Sequence, residues 1–575
     1  MIYHEAIVVG GGLAGLRAAV ELNRHNIKVA VISKVHPVRS HSVAAQGGIN
    51  AALGNHPRGY DDSWERHAFD TVKGSDYLAD QDAVVRMVKE GPRRIIELEH
   101  WGCPFSRTID GKIAQRPFGG AGFPRTCYAA DKTGMMLLHT LYGQIVRFRQ
   151  AAERKELVLY NEWLVTALVI EDGECRGVIA LELATGKLEA FQSEVVIFAT
   201  GGSGRIYGNS TNALINTGMG MAVPYWAGIP LKDMEFVQFH PTTLVGSNIL
   251  MTEGCRGEGG YLINNKGERF LAKYPDSKKD MEVAPRDIIS RNILKEIMAG
   301  GGFDNKYVLL DLRHLGAEKI TSRLPGIRDI CMSFLGLDPI TDPIPIQPGQ
   351  HYTMGGIDCN KDCETKVKGF YAAGEASCVS VHGANRLGGN SLLETVVFGA
   401  VAGENAAVYI RGKKAVAHSD TPLQLALKQK EEDIKNIFNP DGKERPSEIK
   451  DELNKVMADK VGIFREASGL KEALDKVNNL QERYKKIKLD FTGKGFNYDL
   501  MWAIELSGSL DVAIAIVVGA LARKESRGSH FRTDFPKRDD KEWFKHTLAF
   551  YSKEGVRIEH CDVSLGPFKP EERKY

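Results

Sequence analysis

Repeated Cys-x-x-Cys spacing is missing from this chain: its nine cysteines lie singly, and only Cys359 and Cys363 are near neighbours. The ligand pattern of iron–sulfur clusters and structural zinc is therefore excluded, and reduced thiols in a cytosolic setting are expected, with no metal centre in this chain. A dominant charge of one sign is missing too. A formal net charge of +2 offers no global attraction for nucleic acid or for an anionic membrane. Long hydrophobic runs are scarce. The longest, "LDVAIAIVVGAL" at 510–521, falls short of the about 20 residues that span a bilayer, so any membrane link is expected to come through another chain. Met1 leads into a strand within about five residues, leaving no room for the regions of a cleaved export signal. No internal repeat or low-complexity tract is present.

What is there is ordinary globular material. Hydrophobic residues at 43% and charged residues at 26% match soluble proteins, while 575 residues exceed what one core organises, so about two to four units are expected. The chain opens β-α-β: "EAIVVG" reads as a strand, "GGLAGLRAAVELNRH" as a helix with apolar residues at helical spacing, and "KVAVIS" as a second strand. "SEVVIFATGG" and "KGFYAAGEAS" are further strands ending in glycine, and they can join the first sheet if the residues between them form an insert. From about residue 405 the pattern becomes amphipathic with many Lys and Glu, which predicts helices with solvated faces; from about 541 no period is evident.

Gly10-Gly11-Gly12-Leu13-Ala14-Gly15 satisfies GxGxxG between strand and helix. Gly10 permits the tight turn, Gly12 lets backbone approach a pyrophosphate, and Gly15 allows close helix packing, with the helix N-terminus adding partial positive charge. About 20 residues on, the fingerprint expects a carboxylate for the ribose, whereas this chain has Ser33 and Lys34. An ordinary nicotinamide dehydrogenase is thereby disfavoured.

The segments "SKVHPVRSHSVAAQGGI", "RTCYAADKTG", "FATGGSGRIY", "MEFVQFHPT", "MTEGCRGEGG", "PRDIISR", "HYTMGGI", "GEASCVSVHGANRLGGNSLLE" and "ESRGSHFRTDFPKRDD" run in order through the chain. Together they resemble the flavoprotein subunit of succinate dehydrogenase and quinol:fumarate reductase. The resemblance implies an α/β Rossmann-like FAD-binding domain interrupted by an α+β capping domain, then a helical domain and a small C-terminal segment. The boundaries are placed at 1–230 and 351–405 for the FAD-binding domain, 231–350 for the cap, 406–540 for the helices and 541–575 for the tail. It further implies succinate–fumarate interconversion by hydride transfer to or from FAD, with cap closure gating access. His41 is implied as the covalent attachment residue, with His36 outside the motif; withdrawing electrons from the ring makes the flavin a better oxidant for an unactivated –CH2–CH2– unit.

By the same resemblance Ser33 and Lys34 meet the adenosine portion. Ser40, Gly47 and Gly48 wrap the flavin, Gly10, Gly12, Ala14, Gly15, Ala199, Thr200, Gly201 and Gly202 line the cofactor, and Glu375 binds a ribose hydroxyl. Asn390, Ser391 and Leu392 open a helix whose N-terminal amides favour negative charge on the reduced ring. The "NALINTGMGMA" segment departs from the family: relatives carry an Asp there, and this chain has Asn216 and Thr217. Gln46 stands where some relatives have Glu.

His240, Thr252, His351 and Arg386 are the implied dicarboxylate ligands, arginine suiting bidentate carboxylate binding, and Phe118 the aromatic that excludes water. Arg286 is the implied proton donor or acceptor, with Glu253 and Arg256 as its relay. A succinate methylene is so weakly acidic that it calls for a base as strong as arginine, whose solution pKa exceeds ~12. Lacking cluster ligands and membrane spans, the chain is expected to use a separate iron–sulfur subunit, and through it a membrane anchor and, indirectly, quinone, at the cytoplasmic face of the cell membrane. A soluble fumarate reductase or L-aspartate-oxidase-like enzyme without such partners is the nearest alternative. A nucleic-acid-modifying flavoprotein and a non-catalytic assembly subunit fit the motifs less well.

Overall fold

The computed structural model describes residues 1–151, 156–413 and 419–573. Its central sheet has the strand order Leu157–Asn161, Val29–Ser33, Ile2–Val9, Lys187–Phe198, Glu174–Glu182, Trp163–Glu171, with Phe370–Ala372 also on Lys187–Phe198. The pairings of Ile2–Val9 with Val29–Ser33 and with Lys187–Phe198 are parallel, as is that of Phe370–Ala372. Val9, Ser33, Phe198 and Ala372 thus end at one edge of the sheet, where open α/β sheets place nucleotides. The Leu13–Arg24 helix crosses between the first two strands and packs against the long Asn390–Gly412 helix. Gly399 and Gly403 make that approach possible, and Gly15 seats the first helix on the turn before it: a Cβ at Gly15 would sit 1.9 Å from the Gly10 carbonyl oxygen. Gly10 itself is left-handed, at φ 112°.

A separate antiparallel sheet, ordered Val237–Leu244, Ile344–Thr353, Val308–Asp311, Tyr261–Ile263, carries its own core of Leu244, Ile289, Ile293, Leu310, Ile344 and Ile346. Each such fully buried aliphatic side chain contributes roughly 1.5–3 kcal/mol, enough for this layer to hold together on its own apolar face. The strands Leu231–Lys232 and Gly356–Asp358 connect it to the rest, pairing with each other where the chain leaves and re-enters.

Two readings change here. The tail without evident period forms a hairpin, Lys545–Phe550 with Arg557–Asp562, whose first strand pairs with Leu231–Lys232. Its outer strand is largely exposed, which is why no alternation is visible in the sequence. The apolar run at 510–521 belongs to a 25-residue helix, Tyr498–Ala522, which by length and composition could cross a membrane, as could Asn390–Gly412. Run length therefore does not decide the matter; burial does, since 78% and 67% of their apolar windows lie inside the protein, as core helices do. Among the amphipathic helices, Thr421–Ile437 lies on the antiparallel part of the central sheet, burying Leu423 against Val169, Ile179 and Ala190.

Candidate active site

One cleft runs along the C-terminal edge of the central sheet to the inner face of the second sheet. Its nucleotide arm is lined by Gly10, Gly12, Ala14, Ser33, Lys34, Ser40, His41, Gly47, Gly48, Ala199, Thr200, Gly201, Gly202, Glu375, Ser391 and Leu392. Gly15 lies behind, in the helix packing. Asn390 also stands outside the lining: its side chain turns into the protein, bonded to Asn50, His67 and Thr71. Gly389 precedes it at φ 81°, so the Asn390–Gly412 helix begins at the cleft wall with Ser391 and Leu392.

The donors and acceptors suit a long hydroxyl-bearing dinucleotide. Thr200 Oγ1 and Ser40 Oγ are buried without a protein partner. Among the described residues Glu375 accepts only the Thr353 amide N–H, at 3.1 Å, and burial pushes its carboxyl up to about 8 against the opposing pull of that N–H and of Arg386. FAD therefore fits this arm. His41 opens a short 3-10 turn, and its Nδ1 accepts the Ala213 N–H at 3.2 Å, leaving Nε2 without a protein partner among the described residues. Burial lowers this imidazole to about 4, so it is neutral at physiological pH. His36 is engaged elsewhere, with Tyr142 at 3.1 Å. At the departure from the family pattern, Asn216 bonds Asn212 and Thr217 donates to Glu505 at 3.0 Å, which also pairs with Lys34.

The other arm gathers Phe118, His240, Thr252, Glu253, Arg286, His351 and Arg386. His240 and Thr252 come from or follow the Val237–Leu244 strand, His351 from its neighbour, Arg286 from the start of the Arg286–Glu296 helix, and Arg386 from the loop before Gly389. The His240 and His351 rings are 4.9 Å apart. His240 Nδ1 is held by Thr242 and its Nε2 is buried without a partner; His351 Nδ1 meets Thr211 Oγ1 at 2.8 Å. Burial, then the charge of Arg286, keeps both imidazoles well below the usual range, so both are neutral donors or acceptors. Arg386 Nε is likewise buried and unpartnered, and burial together with Arg286 lowers this guanidinium to about 9. Thr252 caps the short Glu253–Gly257 helix, accepting the Gly254 N–H at 3.2 Å.

Glu253 is 3% exposed and faces Arg286 at 2.7 Å through Nε, while its other oxygen accepts the Gly119 N–H at 2.6 Å. Burial pushes this carboxyl up, but Arg286 and Arg256 outweigh it and hold it below the usual range. Arg256 stands outside the cleft lining, donating to the Glu282 carbonyl, and acts on Glu253 through its charge. Phe118 is 4% exposed and packs against Gly47, where a Cβ would come within 2.8 Å of the ring. Arg286 and Arg386 share the cleft with the one carboxylate paired directly to them, Glu253, so their positive field is only partly compensated. A small dianion would balance it.

Two lining or bridging residues were not read from the sequence. Gln238 Oε1 accepts from both Arg386, at 3.0 Å, and Arg286, at 3.3 Å, so it fixes their spacing. Its signal was its place two residues before His240 on one strand. Glu505 is a buried carboxylate in a largely apolar helix, a recognisable anomaly.

Comparison with known proteins places the whole chain. Residues 5–392 match the model for the FAD binding domain, and residues 450–575 that for the fumarate reductase flavoprotein C-terminus. The chain is 44% identical over 589 residues to the fumarate reductase flavoprotein subunit of Mycobacterium tuberculosis, covering 100% of this chain and 99% of that one. It is 45% identical over 588 residues to the succinate dehydrogenase flavoprotein subunit of Rickettsia bellii, covering 98% and 96%. Among solved structures, FrdA of E. coli quinol fumarate reductase superposes with a TM-score of 0.94 at 42% identity, covering 100% of this chain and 98% of that one.

Proposed function

Since the chain belongs to the family of fumarate reductase and succinate dehydrogenase flavoprotein subunits, we propose a residue-level account of how it interconverts succinate and fumarate. It is an FAD-dependent oxidoreductase, and FAD, when bound, supplies the hydride acceptor or donor. The chain's own residues do the rest. Arg386 and the neutral His240 and His351 hold the two carboxylates, with Thr252 adding a hydroxyl donor. Phe118 keeps water from the reacting carbons. Arg286 gives or takes the proton at the substrate carbon. Glu253 relays a proton between solvent and Arg286 through its 2.7 Å contact, and the charges of Arg286 and Arg256 return it to the ionised form afterwards.

His41 is the residue we assign to covalent attachment. An imidazole whose Nδ1 already accepts an amide N–H presents Nε2 as the nitrogen free for a carbon bond, and in the attached state the Nδ1 lone pair keeps its donor. The electrons pass to or from a separate iron–sulfur subunit and, through it, a membrane anchor and quinone. The chain would then lie peripherally at the cytoplasmic face of the cell membrane.

The observation that carries this reading is the convergence, in one cleft, of His41 and the glycine-lined arm with a buried cationic arm whose His240 Nε2 and Arg386 Nε lack protein partners. The test is denaturing electrophoresis of the full-length protein under ultraviolet light. Flavin fluorescence at the chain's band is expected, and its loss in His41→Ser. Fluorescence surviving in His41→Ser would move the attachment elsewhere, and its absence from the unsubstituted chain would remove the covalent bond from the account.

A further inference from the structure

The dinucleotide fingerprint calls for a carboxylate about 20 residues after its glycines, to accept a ribose hydroxyl. This chain offers Ser33 and Lys34 instead. That segment therefore supplies no acidic side chain to the adenosine end of the cleft. The fold brings one from far away. Glu505, on the buried Tyr498–Ala522 helix, lines the same cleft and is 3% exposed. Its Oε1 is held from two sides, by the Lys34 ammonium, at the position where the fingerprint carboxylate is missing, and by Thr217 Oγ1 at 3.0 Å. Lys34 is fixed in turn on the Ile215 carbonyl at 2.9 Å. Oε2 has no protein partner among the described residues.

A carboxylate this buried is stable only if paired and hydrogen-bonded, and here the pairing occupies one oxygen of a residue that lines the cleft. We infer that Glu505 accepts a ribose hydroxyl of the adenosine half of FAD, so that the C-terminal helical region, and not the β-α-β unit, completes the nucleotide site. The inference rests on the FAD reading above. It makes Lys34 a bridge: the lysine orients the carboxylate that takes the place of the absent acid. It also ties cofactor retention to the helices beyond residue 405, because Glu505 lies on the longest of them.

The test uses the full chain with His41→Ser, in which flavin binding is reversible, and measures displacement of FAD by ADP and by 2′,3′-dideoxy-ADP. The unsubstituted Glu505 protein is expected to prefer ADP by about tenfold, the effect of one hydrogen bond to a charged acceptor. Glu505→Gln should abolish that preference while binding dideoxy-ADP as before, and Glu505→Asp should retain part of it. A preference that survives Glu505→Gln, an absent preference with Glu505 in place, or an equal weakening of both nucleotides in Glu505→Gln and Glu505→Asp would overturn the inference. Failure of the Glu505 protein to bind FAD at all would instead overturn the cofactor reading.

Discussion

Arg286→Gln is the perturbation that bears hardest on the proposed chemistry. Glutamine retains an amide near Gln238 but cannot donate a proton to, or accept one from, a carbon. General acid–base groups contribute roughly 10²–10⁴ in rate, or about 2.7–5.4 kcal/mol at 1.36 kcal/mol per decade. A second effect adds to this. Glu253 loses the 2.7 Å partner that opposed its burial, keeping only the Gly119 N–H and the more distant charge of Arg256. Its carboxyl should rise and tend to protonate, so the relay stalls as well. Binding should suffer less, because Arg386, His240 and His351 remain. The assay is steady-state succinate oxidation with an artificial electron acceptor, with flavin content measured on the same samples. A fall in kcat of at least about a hundredfold is expected, with KM for succinate moving by less than about tenfold. A kcat within tenfold of the unsubstituted enzyme, at equal flavin content, would refute the assignment of Arg286.

Two further outcomes follow from the geometry. Arg386 is lowered to about 9 in the ligand-free cleft, and a bound dicarboxylate must raise it again. The ionic contribution to binding is thus complete below pH 9 and lost as pH climbs above it, so the Kd for malonate, by calorimetry, should be flat to about pH 9 and then rise tenfold per unit; a profile flat to pH 11 would contradict this. In the Leu13–Arg24 helix, Gly15→Val drives side-chain atoms into the Gly10 carbonyl and should destabilise the chain by about 3 kcal/mol or more, whereas Gly143→Ala, with nothing within 4 Å, should stabilise its helix by about 0.5–1 kcal/mol. Urea midpoints of the two variants separate these cases.

Local chemistry made much of this protein legible in its sequence. The glycine fingerprint works over six residues, and the strand-to-helix context that gives it meaning is adjacent in the chain. Motif order carried the residues expected at the substrate site, each embedded in its own short segment, and the cleft brings His240, Thr252, Glu253, Arg286, His351 and Arg386 together. What escaped depends on long-range packing. Glu505 reaches Lys34 across 471 positions, and nothing near Lys34 announces it. Asn390 faces the protein instead of the cleft because Asn50, His67 and Thr71 claim its amide, partners contributed by the Ile49–Asn50 strand and the Trp64–Gly74 helix. The tail hairpin is an edge element whose outer strand buries little, so alternation had no cause to be there. The 25-residue core helix exceeds the apolar run at 510–521 because Glu505, Ser507 and Ser509 end the run on its N-terminal side without breaking the helix.

Anaerobic spectroscopy of the isolated, flavin-loaded chain probes the succinate–fumarate reaction itself. Succinate should bleach the visible flavin band and fumarate should restore it, with neither response in Arg286→Gln. A loaded flavin that ignores both dicarboxylates would contradict the account.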